Sequence, residues 1–181
     1  MRISRFLDSI VIRRMLPEDV PTRIGLLQDP AVMRNIVDIA AVEPFSRLER
    51  GNQERLEHGW TNHLDYVFEL QNGTVLGYGW LADIDWVDRR CEFSIAILPE
   101  HRTGLGRVCF LAMMRHIFMQ LGLESIYCQV YETNHMMMAT SELAARGSVR
   151  SIDDVYVAGQ WRTCYSWIET REDFVSQANA A

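Results

Sequence analysis

The most informative chemistry in the chain lies between Cys91 and Arg107, where a strand pattern runs into Thr103-Gly104-Leu105-Gly106-Arg107 and then into a helix pattern. Amides exposed at a helix start attract anions, and glycines let a phosphate approach the backbone. Arg102 and Arg107 can add charge-assisted contacts to phosphate oxygens. A plain structural turn is the competing reading of the glycine pair. A dinucleotide fingerprint fails, because Cys109 stands where its third glycine would be and no parallel-sheet context surrounds it. Upstream, Cys91, Phe93, Ile95 and Ile97 form a bulky apolar face, while Glu92, Ser94 and Ala96 share the opposite, small one. A carboxylate there is costly unless it is solvated, paired with Arg89 or Arg90, or used to accept a proton.

Composition narrows the chemistry further. All 18 basic residues are arginine, so the chain has no lysine for a Walker phosphate loop, a pyridoxal-phosphate Schiff base or a kinase strand. With 24 acidic residues the net charge is −6, which argues against nucleic acid as a partner. Cys91, Cys109, Cys128 and Cys164 form no Cys-x-x-Cys pair and lie in apolar contexts, as reduced core residues of a cytoplasmic protein do. His58 and His63 lack helical ligand spacing and a third ligand, so no metal site is expected. Met1 to Leu16 is broken by Arg5, Asp8, Arg13 and Arg14 and does not read as a signal peptide; no membrane span is expected. Length and composition fit a single domain over residues 1–181.

Strand and helix signals alternate along the chain. Strands are expected at Ser9–Met15, Asp65–Leu70, Thr74–Ile84, Arg90–Leu98, Ser125–Tyr131, Val149–Val157 and Gln160–Ile168. Asn72-Gly73 and Ala158-Gly159 mark two hairpins. Helices are expected from Pro17, over Pro30–Ile39 and Ser46–Trp60, over Gly104–Leu121 with Gly122 as C-cap, and over Asn134–Arg146. Antiparallel strands come first, then strand, helix, strand, helix, strand, strand, which is a mixed α/β (α+β) arrangement.

From Arg90 onward the chain resembles the GNAT superfamily of coenzyme-A-dependent N-acetyltransferases. The likeness rests on the strand bearing Glu92, the loop Pro99-Glu100-His101-Arg102-Thr103-Gly104-Leu105-Gly106, the strand Ser125–Tyr131, and Asn134 opening a helix that ends at Gly147. Asp29-Pro30-Ala31-Val32-Met33, Asn72 to Gly77, Asp83-Ile84-Asp85 and Val157 to Trp161 extend it upstream and downstream. Together these are most similar to the branch of ribosomal-protein N-terminal acetyltransferases. Cys91-Glu92-Phe93 with Asn134-His135 also looks like acetyltransferases acting on amino sugars of the pseudaminic-acid pathway.

The resemblance implies a mostly antiparallel twisted sheet, splayed at two adjacent parallel strands, with helices on both faces. It implies acetyl-coenzyme A as cosubstrate, its pantetheine arm beside Ile97 and Leu98 and its pyrophosphate at Thr103, Gly104, Leu105, Gly106 and Arg107. Either His101 or Arg102 fills the position where the family has glutamine or arginine. It further implies a primary amine as acceptor, expected to be that of a small molecule or amino sugar in preference to a protein N-terminus, with Glu92 as the expected general base. Asn134 orients the pantetheine or caps its helix. The family's helix tyrosine is missing from Met136-Met137-Met138-Ala139-Thr140-Ser141, leaving Ser141, Tyr131 or water to meet the leaving thiolate. A non-catalytic coenzyme-A-binding module is the alternative, and the family leaves room for a homodimer.

Overall fold

The computed structural model describes residues 7–35, 50–51, 53–54, 61–102, 104–135, 149–157 and 160–180. β1 (Ile10–Arg14) leads through a 3-10 turn (Pro17–Asp19) to α1 (Val20–Leu27) and the single turn α2 (Pro30–Met33). β2 (Leu64–Leu70), β3 (Val75–Asp85) and β4 (Arg90–Ile97) follow as a meander. α3 (Leu105–Arg115) continues into a π turn (His116–Gln120), and β5 (Ser125–Tyr131), β6 (Val149–Val157), β7 (Gln160–Thr170) and α4 (Arg171–Ala180) complete the order. The seven strands make one sheet in the order β1-β2-β3-β4-β5-β7-β6. Every neighbouring pair is antiparallel except β4 and β5, so the mixed, mostly antiparallel architecture is as expected.

Alternation along the strands separates two apolar layers. On one face Cys91 and Phe93 of β4 and Ile126, Cys128 and Val130 of β5 pack under Cys109, Ala112 and Met113 of α3 and Ile117 and Phe118 of the π turn. On the other, Val67, Tyr78 and Ala96, which lie in one cross-strand row, meet Val20, Ile24 and Leu27 of α1 and Val32 of α2. Each fully buried Val, Leu, Ile, Met or Phe among them contributes about 1.5–3 kcal/mol. The second face also buries a charged pair: Arg23 and Asp65 are 4% and 3% exposed and 3.3 Å apart, with the Arg23 guanidinium 5.1 Å from the Trp80 ring centroid.

Several boundaries differ from the sequence reading. Gly104 is not in the long helix but caps it, at φ 94° in left-handed conformation, and α-geometry gives way to the π turn before Gly122 at φ 70°. β7 runs two residues beyond Ile168, and α4 was not anticipated. Its start is a reciprocal cap: Asp173 N–H donates to Thr170 Oγ1 at 3.1 Å, and Thr170 N–H donates to Asp173 Oδ2 at 3.2 Å. Of Pro30–Ile39 the first turn is helical, and residues 36–39 lie outside the described residues, as do most of Ser46–Trp60 and all but Asn134 and His135 of Asn134–Arg146. Ala158 and Gly159 also lie outside them, although Val157 pairs with Gln160 on either side.

Candidate active site

Parallel pairing of β4 with β5 covers three rungs, Arg90–Ser125, Cys91–Ile126 and Glu92–Tyr127, and then stops. Beyond it β4 stays with β3 as far as Ile97, and β5 stays with β7 as far as Tyr131. The two half-sheets therefore part at Glu92, leaving a cleft whose walls are strand edges with backbone groups to offer.

Glu92 stands at the last rung, on the same face as Ser94 and Ala96. The arginines that could have neutralised it are engaged elsewhere. Arg89 Nε donates to the Gly122 carbonyl at 2.8 Å and its Nη2 lies 2.9 Å from Glu124, while Arg90 faces Asp85 and Asp88 at 3.6 and 3.4 Å. Among the described residues Glu92 has neither a hydrogen bond nor an ion pair. Partial burial pushes its carboxyl above the usual glutamate range, and the Asp83 carboxylate pushes it further. Asp83 owes its place to a bulge between Ala82 and Asp85, with φ 46° at a non-glycine residue. Bulges of this kind re-aim side chains beside functional sites.

At the other end of β4, Leu98 and the 3-10 turn Pro99–His101 lead into the glycine turn. Gly104 has no side chain to cap α3, so the first amides of that helix, from Leu105, Gly106 and Arg107, have no intrahelical partner. A Cβ on Gly106 would lie 3.5 Å from Ile97, which sets the helix start against the end of β4. Arg107 is exposed and has no ion pair among the described residues. Arg102 is occupied: Nη2 lies 2.7 Å from Asp29 Oδ2, and Nε donates to the Ile97 carbonyl at 3.1 Å. Thr103 lies outside the described residues.

Tyr131 ends β5 on the far side of the cleft, half-buried, its hydroxyl pushed up by burial and by Cys164, against the pull of Arg162. The Asn134 amide donates to the Tyr131 carbonyl at 2.9 Å; Ser141 lies outside the described residues. Tyr127 escaped the sequence reading, and Asp29 and Asp83 entered it within longer motifs, without their links to Arg102 and Glu92. Tyr127 faces Glu92 across the last rung, and its hydroxyl accepts from Gln129 Nε2 at 3.2 Å. Tyr127 was within reach, since the alternation that isolates Glu92 on β4 also sets Tyr127, Gln129 and Tyr131 apart from Ile126, Cys128 and Val130.

The cleft fits an acyl-coenzyme-A molecule: two strand edges for an amide-bearing arm, an uncapped helix start with a free arginine for a pyrophosphate, and a carboxylate where the strands part. These features define a coenzyme-A-dependent acyltransferase. Residues 9–143 match the model of the acetyltransferase (GNAT) domain, and the chain belongs to that family. It is an N-acetyltransferase that uses acetyl-coenzyme A. No curated protein matches the chain by sequence. Among solved structures it is similar to the spermidine N-acetyltransferase of Vibrio cholerae in complex with CoA and spermine, at 19% identity, TM-score 0.79, over 93% of this chain and 99% of that one. A dodecameric structure of the same Vibrio cholerae enzyme in an intermediate state gives 19% identity and TM-score 0.74 over 94% and 99%. At this identity the likeness is one of fold.

Proposed function

We propose that the protein acetylates the primary amine of a small molecule, with Glu92 as general base. The observation that carries this reading is an ionisable carboxylate with no protein partner among the described residues, held at the point where β4 and β5 part. The solved spermidine N-acetyltransferases add support for a small amine as acceptor.

Acetyl-coenzyme A supplies an activated acetyl thioester. The amides of Thr103 to Arg107, with the Arg107 guanidinium, hold its pyrophosphate, and Ile97 and Leu98 flank its pantetheine arm. An alkylammonium with a pKa near 10 costs about 4 kcal/mol to deprotonate at pH 7. Glu92 takes that proton, and its raised pKa makes the ionised carboxylate a better acceptor than an unperturbed glutamate. Tyr131 keeps its proton at neutral pH and is the described hydroxyl on β5 past the divergence; we assign it as the donor, with Asn134 orienting the arm and Ser141 as the alternative donor. A cytoplasmic location agrees with four free, buried cysteines. The dodecameric neighbour makes self-association, from a homodimer upward, an expectation here too.

The test is thiol release from acetyl-coenzyme A against polyamines, simple alkylamines, peptide α-amines and nucleotide-linked amino sugars, the last two being acceptors of the branches the sequence resembles. Turnover with a small amine is the expected result. Turnover confined to peptides would replace the acceptor assignment, and coenzyme binding without transfer to any amine would favour the non-catalytic module.

A further inference from the structure

Coenzyme-A clefts depend on how far two half-sheets stand apart, and here one segment touches both halves. Asp29 begins it. Its Oδ1 accepts the Ala31 amide at 2.8 Å, fixing the carboxylate at the start of α2. The other oxygen meets Arg102 at 2.7 Å, across 73 residues of sequence. Arg102 in turn donates to the Ile97 carbonyl at the end of β4, and its own carbonyl accepts the Gly104 amide at 2.9 Å. One arginine thus joins the end of β4, the turn before α3 and the start of α2. At the other end of the segment, the Arg34 carbonyl accepts from Arg162 of β7, and Asn35 Oδ1 accepts from Thr133 Oγ1 at 3.1 Å, just past β5.

We infer that residues Asp29–Asn35 form a strap across the cleft, pinned to the β4 half through Arg102 and to the β5–β7 half through Thr133 and Arg162, and that it positions the acetyl-coenzyme-A cradle. The inference rests on the acetyl-coenzyme-A reading of that cradle. It gives Arg102 a positioning role and leaves the phosphate to Arg107, whose guanidinium is free among the described residues. The Ala31 amide and the Arg102 guanidinium hold the Asp29 carboxyl below the usual aspartate range, so this pin stays charged at neutral pH.

Calorimetric titration of CoA into the full chain tests the strap, with KM for acetyl-coenzyme A and kcat measured in parallel. Asp29→Asn keeps the cap, since asparagine is a good N-cap, but discards the charge facing Arg102. At the other end Thr133→Val and Arg162→Met are made together, because either contact alone would still hold the segment. Each is expected to raise Kd and KM about three- to tenfold, with kcat within about twofold. Combining the changes at both ends in one variant decides. Distant sites without a shared partner normally add, so a strap, already slack once either pin is gone, gives a combined loss no larger than the worse of the two. Asp8→Asn, which breaks the exposed Asp8–Arg115 pair, is the control and should leave Kd unchanged. An unchanged or tighter Kd in Asp29→Asn would mean that a released Arg102 grips phosphate itself, and would overturn the proposal. So would additive losses in the combined variant. Failure of the unaltered chain to bind CoA would instead overturn the cofactor reading beneath it.

Discussion

Replacing Glu92 by glutamine keeps the size and polarity of the side chain and removes its basicity. A positioned base contributes a factor of about 10²–10⁴. Glu92 is only half-buried, and water can take over part of its task, so the lower part of that range, about 10²–10³ in kcat, is expected at pH 7. The loss should shrink as pH approaches the amine's own pKa, where the acceptor arrives already deprotonated. Stability gives an independent reading of opposite sign. The folded-state pKa of Glu92 is raised, so its contribution to stability is full below the unfolded value, near 4.5, and is lost as pH rises through the folded one. Glu92→Gln should therefore melt higher than the unaltered protein at pH 7.5 and show no such gain below pH 4.5. Asp83→Asn removes the like charge and should move the acid limb of the kcat/KM profile to lower pH. Thiol release across pH 6–9, with melting curves at pH 7.5 and below pH 4.5, supplies every term. A Glu92→Gln enzyme within about tenfold of the original at pH 7 would refute the base assignment.

Three further outcomes are expected. Arg107→Ala should raise the CoA Kd about three- to tenfold in low salt, and the loss should shrink as salt is added, because an exposed contact to phosphate is screened. Gly104→Ala meets no atom of the described residues within 4 Å, so its cost lies in the backbone at φ 94°, about 1–2 kcal/mol in denaturant titration, with a weaker CoA Kd as the helix start shifts. Burial lowers the pKa of His116, whose Nε2 has no hydrogen-bond partner among the described residues and whose Nδ1 lies 2.6 Å from Gln120 Oε1. The unfolded chain thus protonates first, stability declines as pH falls below 6.5, and His116→Leu should remove that part of the slope in urea midpoints.

The sequence carried the local half of this site and lost the distant half. Alternation on β4 was enough to set Glu92 apart from Cys91 and Phe93, because a strand's period is two whatever surrounds it. Gly104 was legible as part of a turn, though its role as cap needed a backbone angle. The partner of Arg102 was out of reach: Asp29 lies in another element, and no spacing rule links them. The π turn left no trace, since Ile117 and Phe118 continue the apolar stripe of α3 without a glycine or proline to mark the change. α4 was legible and overlooked, for Thr170-Arg171-Glu172-Asp173 is a capping sequence followed by a weakly apolar stretch.

The three-rung seam between β4 and β5 bears on solubility as well as chemistry. Parting a sheet from within creates two edges beyond its outer pair, and strand edges invite a neighbouring chain to add itself and start an aggregate. Here the extra edges look at one another, and the segment Asp29–Asn35 reaches across from one half to the other. A slender amide-bearing arm can thread such a slot, whereas a polypeptide with side chains on both faces is far bulkier. The geometry that admits a cosubstrate therefore also screens out the commonest unwanted guest of an open strand, another protein.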